Sequence, residues 1–481
     1  MSDTTSYRLR AAMRAVKYPL ALGVLACAAS AAHAQSADQG LTWNGITLYG
    51  IVDLGYQFET HGAPYSDYHP AGSANIVQKN SRQSVSGLTP SNLSQSRVGL
   101  QGLEPIGVGD WNALFRMETF FNPQSGELSD ALKSMALNNG KPASQQSTNL
   151  DSSVAGQAFM TIYGGFSSKT FGTFTFGRNT TLLADGISKY DPNFGSQAFS
   201  LIGMSGTYAG GGDTQDRRLD NSLKYTASFN NMIHVGAMYK FNNSNGSANT
   251  AYQGQVGVDY QGLSVDLYGT RADSAVSASP LAAANVADGV SACAAVLAAG
   301  SSCVAGASLT NSLAATISDN TAFSLMASYT WNVLKFYGGY EHLRYANPTR
   351  PLAAGFTDIG GYNLAFVNNN AYAHGDKMVN AYWLGVRYTV MPHLDLVGAY
   401  YGYHQNNYSA DTVVCNTAKG TAEPGTCSGY FTSFAFDAVY SFTKRFDGYA
   451  GAMYSAVYNG VSNGYIERNN VNPTIGVRFK F

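Results

Sequence analysis

Charge is what this chain has least of. Asp, Glu, Lys and Arg make up 12% of its 481 residues, about half the ~25% of an ordinary soluble domain. Neither sign dominates, with 29 Lys and Arg against 30 Asp and Glu, so there is no basic surplus to hold a nucleic-acid backbone. Beyond the N-terminal segment no apolar run approaches the ~18 residues of a membrane-crossing helix. Cysteine (5) and tryptophan (4) are scarce. By contrast Gly is abundant at 52, and 32 Tyr with 24 Phe are far too many large rings for a disordered chain. What survives is a β-rich protein with many turns.

The N-terminus reads as an export signal. Arg8, Arg10, Arg14 and Lys17 precede a small-residue apolar stretch from Pro19 to Ala32, and Ala32-His33-Ala34 offers a cleavage site before Gln35. That apolar stretch is too short to span a bilayer stably. The expected organisation is a signal peptide over 1–34 and one domain over 35–481. A lipid-attachment reading of Val24-Leu25-Ala26-Cys27 is the alternative. Four cysteines lie beyond it: Cys293, Cys303, Cys415 and Cys427. An oxidising compartment favours two local disulfides, Cys293–Cys303 and Cys415–Cys427. The spacing for zinc, with a short C-x-x-C and nearby His, is missing, and no metal or cofactor is expected.

One unit recurs along the chain: roughly ten residues alternating apolar and polar, then a turn or loop. Successive strand residues point to opposite faces, so each such stretch is a strand with one face toward something apolar and one toward water. Phe323, Leu325, Ala327, Tyr329 and Trp331 oppose Ser324, Ser328 and Thr330; Ile475, Val477, Phe479 and Phe481 oppose Gly476, Arg478 and Lys480. Sixteen such segments are expected, near 44–58, 94–103, 110–121, 157–166, 170–179, 217–227, 231–241, 251–261, 263–271, 319–331, 333–345, 377–390, 393–404, 430–443, 445–458 and 469–481. Short turns alternate with long loops (59–93, 122–156, 180–216, 272–318, 346–376 and 405–429), the arrangement of an up-and-down transmembrane β-barrel.

The polar face decides the surroundings. Asp53, Arg97, Gln101, Arg116, Glu118, Arg218, Asp220, Lys224, Asp259, Asp266, Glu341, Arg387, Asp395 and Asp437 all fall on it. A dry core would charge several kcal/mol for each unpaired ion, whereas a wet lumen enclosed by a lipid-facing barrel accepts them. Tyr56, Phe58, Trp111, Tyr388 and Tyr440 are candidates for the interfacial aromatic girdle. The fold class is therefore all-β, an antiparallel transmembrane barrel of sixteen strands.

In this setting the chain resembles the Gram-negative general porins, especially those of β-proteobacteria. The likeness is carried by Thr47-Leu48-Tyr49-Gly50-Ile51-Val52-Asp53, Ser96-Arg97-Val98-Gly99-Leu100-Gln101-Gly102, Phe171-Gly172-Thr173-Phe174-Thr175-Phe176-Gly177-Arg178, Arg218-Leu219-Asp220-Asn221-Ser222-Leu223-Lys224-Tyr225 and the terminal Phe481. The resemblance implies an outer-membrane channel for passive diffusion of ions and small hydrophilic solutes, a homotrimer, and a third long loop folded into the pore. It makes Phe481 an assembly signal read by the barrel-assembly machinery and 122–156 a loop that latches neighbouring subunits. It places Arg97 and Arg218 on a basic wall opposite Asp185 and Asp191, with Asp53, Arg116, Glu118 and Gln157 also facing the lumen. The sequence departs from enterobacterial members at Asn193, Ile51 and Gln157, which weakens the expected field across the constriction. The same residues read more simply as lumen pairs (Arg97 and Arg218 with Glu118 or Asp220, Arg116 with Glu118) and as loop-start aspartates.

A substrate-specific channel on the same scaffold would carry an aromatic track, for which Tyr337, Tyr401 and Tyr403 are the candidates. An enzyme is not expected, since the histidines show neither a Ser-His-Asp pattern nor H-E-x-x-H. N-terminal sequencing of the membrane-inserted protein should read Gln-Ser-Ala-Asp-Gln from Gln35; a lipid-blocked chain beginning at Cys27 would contradict the cleavage site.

Overall fold

The computed structural model describes residues 41–62, 83–126, 128, 131–142, 145–146, 159–202, 217–242, 250–283, 302–304, 308–359, 361–416 and 423–481. Sixteen antiparallel strands form a closed barrel: β1 (Ile46–Glu59), β2 (Arg97–Pro105), β3 (Asn112–Phe120), β4 (Thr161–Ser168), β5 (Gly172–Thr180), β6 (Arg218–Phe229), β7 (Ile233–Lys240), β8 (Ala251–Tyr260), β9 (Leu263–Ser279), β10 (Ser312–Trp331), β11 (Leu334–Ala346), β12 (Lys377–Met391), β13 (Leu394–Gln405), β14 (Gly429–Ser441), β15 (Phe446–Asn459) and β16 (Asn469–Lys480). Among the described residues two short α-helices lie in loops, α1 (Ala131–Ala136) between β3 and β4 and α2 (Leu182–Tyr190) between β5 and β6. Among the described residues no helix is long and apolar enough to cross a membrane.

Closure is made by the two chain ends. β1 pairs with β16 from Ile51↔Lys480 to Gln57↔Thr474, and with β2 from Ile46↔Gly102 to Ile51↔Arg97. The last peptide completes the seam: Gly50 N donates to Phe481 O at 2.9 Å, and Phe481 N to Gly50 O at 3.0 Å. A side chain at Gly50 would meet the Phe481 ring at 2.3 Å and Arg97 O at 2.7 Å, so glycine is what lets the terminal aromatic seat there. The terminal Phe481 thus belongs to the barrel wall, stacked on Phe479 at 6.2 Å.

The two faces separate as the alternation requires. Outward-pointing Phe323, Leu325, Tyr329 and Trp331 are exposed, while Ser324 and Ser328 on the same strand are buried. Phe436 is 61% exposed and its neighbour Asp437 is 0%. Tyr56, Phe58, Tyr388 and Tyr440 are exposed on the outer surface, and Trp111 stacks on Phe171 at 5.8 Å beside the short-turn rim. The outside of the barrel is therefore an apolar belt, the inverse of a soluble β protein.

Three expectations need correction. Asp220 does not face the lumen: the register of β5 with β6 shifts between Gly177 and Asn179, Asn221 takes φ +48°, and the parity flips, so Leu219 is buried. Asp220 pairs with Arg178 instead, whose cross-strand neighbour Ile162 lies exposed on the outer face. The loop expected over 59–93 contains a strand, Val85–Pro90, that pairs with the upper part of β1. The loop expected over 272–318 is shorter, because β9 and β10 extend to Ser279 and from Ser312. Their extensions, Ala272 to Ser279 and Ser312 to Ser318, are mostly small or polar. They stand beyond the apolar belt, and Val276, Leu313 and Ile317 are their only larger apolar residues, too few to mark them as strands by alternation. Cys415 and Cys427 are bonded, with Cα atoms 5.7 Å apart. Cys303 is disulfide-bonded; its expected partner Cys293 lies outside the described residues, as does Gln157.

Phe436→Arg, a charge placed mid-strand on the outer belt, should destabilise the barrel in bilayers by about 2–4 kcal/mol, measured by reversible denaturant unfolding from vesicles. A loss within a few tenths of a kcal/mol would show that this face does not meet hydrocarbon.

Candidate functional site: the constriction of the lumen

The third long loop folds inward. Thr181 caps α2 by accepting from Ala184 N at 3.1 Å, a helix start preferred by threonine because it satisfies an otherwise orphaned N–H. Leu182, Leu183, Ile187 and Tyr190 recur at helical spacing, and all four are buried. They join a cluster with Met238, Tyr268, Met326, Trp383, Tyr401 and Met453 from β7, β9, β10, β12, β13 and β15. The apolar helix thus packs against the inside of one half of the barrel, filling it. Thr181 followed by this spacing was a helix signal within a segment read only as loop.

After the helix the chain is pinned to the wall by polar contacts. Trp383 Nε1 donates to Tyr190 O at 3.0 Å, and Arg387 Nη2 to Pro192 O at 2.8 Å. The Arg387 guanidinium lies 4.6 Å from the Phe194 ring centroid, a cation–π arrangement. Gly385 permits this approach, since a Cβ there would meet Pro192 at 2.5 Å. Ser196 Oγ and Ala198 N both donate to Asn92 O, at 2.8 and 3.0 Å, tying the loop to the bend between Pro90 and Arg97. That bend is itself fixed by Asp53, whose carboxylate accepts from Leu93 N, Ser94 N and Tyr449 OH at 2.9, 2.8 and 2.6 Å.

The two candidate loop aspartates differ in place. Asp191 is fully buried, accepting from Gly195 N at 2.6 Å and Tyr401 OH at 2.7 Å. Burial raises its carboxyl above the usual range, opposed by these donors. The nearby Arg217 guanidinium is depressed by burial and restored in part by Asp191. Asp191 therefore holds the turn of the loop and presents no carboxylate to the lumen. Asp185, in the first turn of α2, is half exposed and paired with Lys224 of β6.

What remains open lies opposite, along β1 to β6. A cavity of about 120 Å³ is lined by Leu93, Gln95, Phe120, Arg97, Arg217 and Arg218 on the wall side, and by Ser188, Phe194, Gly195 and Gln197 of the loop. Arg97 and Arg218 flank the buried Phe120 ring at 6.0 and 4.5 Å from its centroid. Arg116 donates to Tyr49 OH and Glu118 Oε2, both at 2.7 Å, and Arg97 lies 3.9 Å from Glu118 Oε1. Glu118, 2% exposed, is thus shared between two arginines. The structure brings Arg97, Arg116, Glu118 and Arg218 together, sets Asp185 one strand pair away, and sends Asp53 and Asp191 to structural posts. Phe120 and Arg217 join the site although neither had been singled out as a site residue; Arg217, the first residue of the expected segment 217–227, lies just ahead of the observed β6. Tyr337, Tyr401 and Tyr403 are all buried, behind or against the loop, so they form no open aromatic track.

The family model for Gram-negative porins matches residues 21–460. Among solved structures, the anion-selective porin from Comamonas acidovorans is similar at 18% identity, covering 91% of this chain and 99% of that one, with a TM-score of 0.56. OmpT, an outer membrane protein of Vibrio cholerae, is similar at 15% identity, covering 92% and 100%, with a TM-score of 0.53, and its trimer form at 14% identity, covering 91% and 99%, with a TM-score of 0.52. At these identities the likeness is one of fold. No curated protein matches by sequence.

Asp191→Ala would strand the Tyr401 hydroxyl and the Gly195 N–H. It should cost about 1–3 kcal/mol of folding stability and raise open-channel current noise as the loop loosens. Unaltered noise and an unaltered unfolding midpoint would contradict the anchoring role.

Proposed function

The chain belongs to the Gram-negative porin family and is an outer-membrane channel protein; we propose that its pore prefers anions and passes small hydrophilic solutes without a dedicated binding track. One observation carries the preference: Arg97, Arg116, Arg218 and Lys224 stand on the wall opposite the packed loop and outnumber the carboxylates beside them, Glu118 and Asp185, which are already paired to members of that group. A narrow passage lined by surplus cations lowers the energy of an entering anion and raises that of a cation. The fold likeness to an anion-selective porin agrees with this reading.

The burial of Tyr337, Tyr401 and Tyr403 on the inner wall supports general diffusion over a specific channel, because these rings form no open row along the path. The protein further acts as a homotrimer, a reading supported by fold neighbours that include a trimeric protein. It arrives through a signal peptide removed before Gln35. Its C-terminal strand, ending in Phe481, is the segment offered to the assembly machinery.

The test is the zero-current potential in planar bilayers under a salt gradient. The native pore should reverse on the anion side, and Arg97→Gln with Arg218→Gln should move it toward the cation side. A native pore that reverses on the cation side would overturn the anion reading. In liposome swelling, neutral sugars should decline smoothly with size; one sugar far above the trend would indicate a specific channel instead.

A further inference from the structure

The arm between β3 and β4 is unlike the other long loops in where it lands. β3 and β4 lie six strands around the sixteen-strand wall from β9 and β10, yet α1 packs directly on the far pair. Leu132 and Ala136 are buried against Leu313, Ala315 and Ile317 of β10 and against Leu364 of the strand Tyr362–Asn368, which lies parallel to β10. The residues after α1 then hydrogen-bond as a backbone mimic. Asn139 Nδ2 donates to Leu309 O at 2.8 Å and Ser312 O at 2.6 Å, while its Oδ1 accepts from Leu281 N at 2.7 Å. Gly140 N donates to Leu281 O at 2.9 Å. Asn139 thus satisfies backbone groups at both edges of the gap between the end of β9 and the start of β10, and it is 8% exposed.

We infer that residues 131–140 form a strap that crosses the long-loop mouth of their own barrel and docks on the sheet raised by the extensions of β9 and β10. This goes beyond diffusion through the constriction and gives the pore a second filter above it. The docking surface has two independent parts, an apolar patch and a three-bond amide clamp, both provided by one chain. The clamp demands an amide at position 139, because no other side-chain type of that length offers a donor group and an acceptor to three backbone partners. The expected intersubunit latch of 122–156 is replaced, for this stretch, by an intrachain contact. A strap over the mouth divides the entrance, so it slows large solutes before they reach the arginine wall and leaves small ions nearly unaffected.

The first experiment places Lys141→Cys with Ala282→Cys, which flank the Gly140–Leu281 hydrogen bond and leave Asn139 in place, in the full-length protein, in membranes, and joins the new thiols with a short bis-maleimide; Cys303, Cys415 and Cys427 are already bonded. Two differently tagged copies are co-expressed. The strap predicts a cross-link confined to single chains, seen as a monomer-mass band after denaturation and as a joined peptide pair on digestion. Cross-linking between the two tags would overturn it, as would the absence of any cross-link. The second experiment reads the filter. Leu132→Asp with Asn139→Ala, in a barrel whose unfolding midpoint is unchanged, should raise swelling rates severalfold for trisaccharides and little for monosaccharides. Unchanged rates at every size would overturn the filtering role. Neither readout depends on the sign of ion selectivity, so failure here and failure of the anion reading are distinguishable.

Discussion

Every peptide group that enters hydrocarbon must find its hydrogen-bond partner within the protein, because lipid offers none. A sheet can meet that demand only by closing, and here closure depends on the Gly50–Phe481 pair and the β1–β16 ladder. The rest follows from it. Once the ring is shut, one face of each strand meets lipid and is apolar, and the other surrounds a space too wide to fill with side chains alone. The chain fills much of that space with its own third loop and leaves a cavity of about 120 Å³ beside the arginine wall.

How the loop divides the lumen sets the function. The apolar side of α2 buries against β7 to β11, and the turn after it is fixed by Trp383, Arg387 and Asp191. Against that packed half, the open half is narrow and its wall is built from β1 to β6. The cations there outnumber the carboxylates they pair with. Glu118 serves two of them, and Asp191 faces away into its own hydrogen bonds. The chain as a whole is nearly neutral, but its constriction is not.

Much of this was legible in the sequence. The sixteen strands announce themselves because lipid and water each impose a side-chain type on alternate residues, as Phe434, Phe436 and Asp437 show. The upper ends of β9 and β10 were not legible, since above the belt neither solvent dictates large apolar residues. Asp220 was assigned to the wrong face because period-2 counting has no knowledge of a register shift; the φ +48° at Asn221 reverses everything beyond it. The site was half legible. Arg97, Arg116 and Glu118 could be placed by parity and resemblance, and Arg218, beyond that register shift, by resemblance. Whether Asp191 lined the lumen or anchored the loop depended on Tyr401, 210 positions away, and no local pattern encodes that contact.

The most direct test of the central claim, an apolar outer face around a water-filled interior, is single-cysteine accessibility along β2, on the open side of the lumen. Positions 97, 98, 100 and 101 are each replaced in turn and treated with a membrane-impermeant charged thiol reagent while single-channel current is recorded. The account predicts that labelling at 97 and 101 reduces the current, and that 98 and 100 stay unlabelled in lipid. Labelling at 98 and 100 with 97 and 101 silent would contradict it.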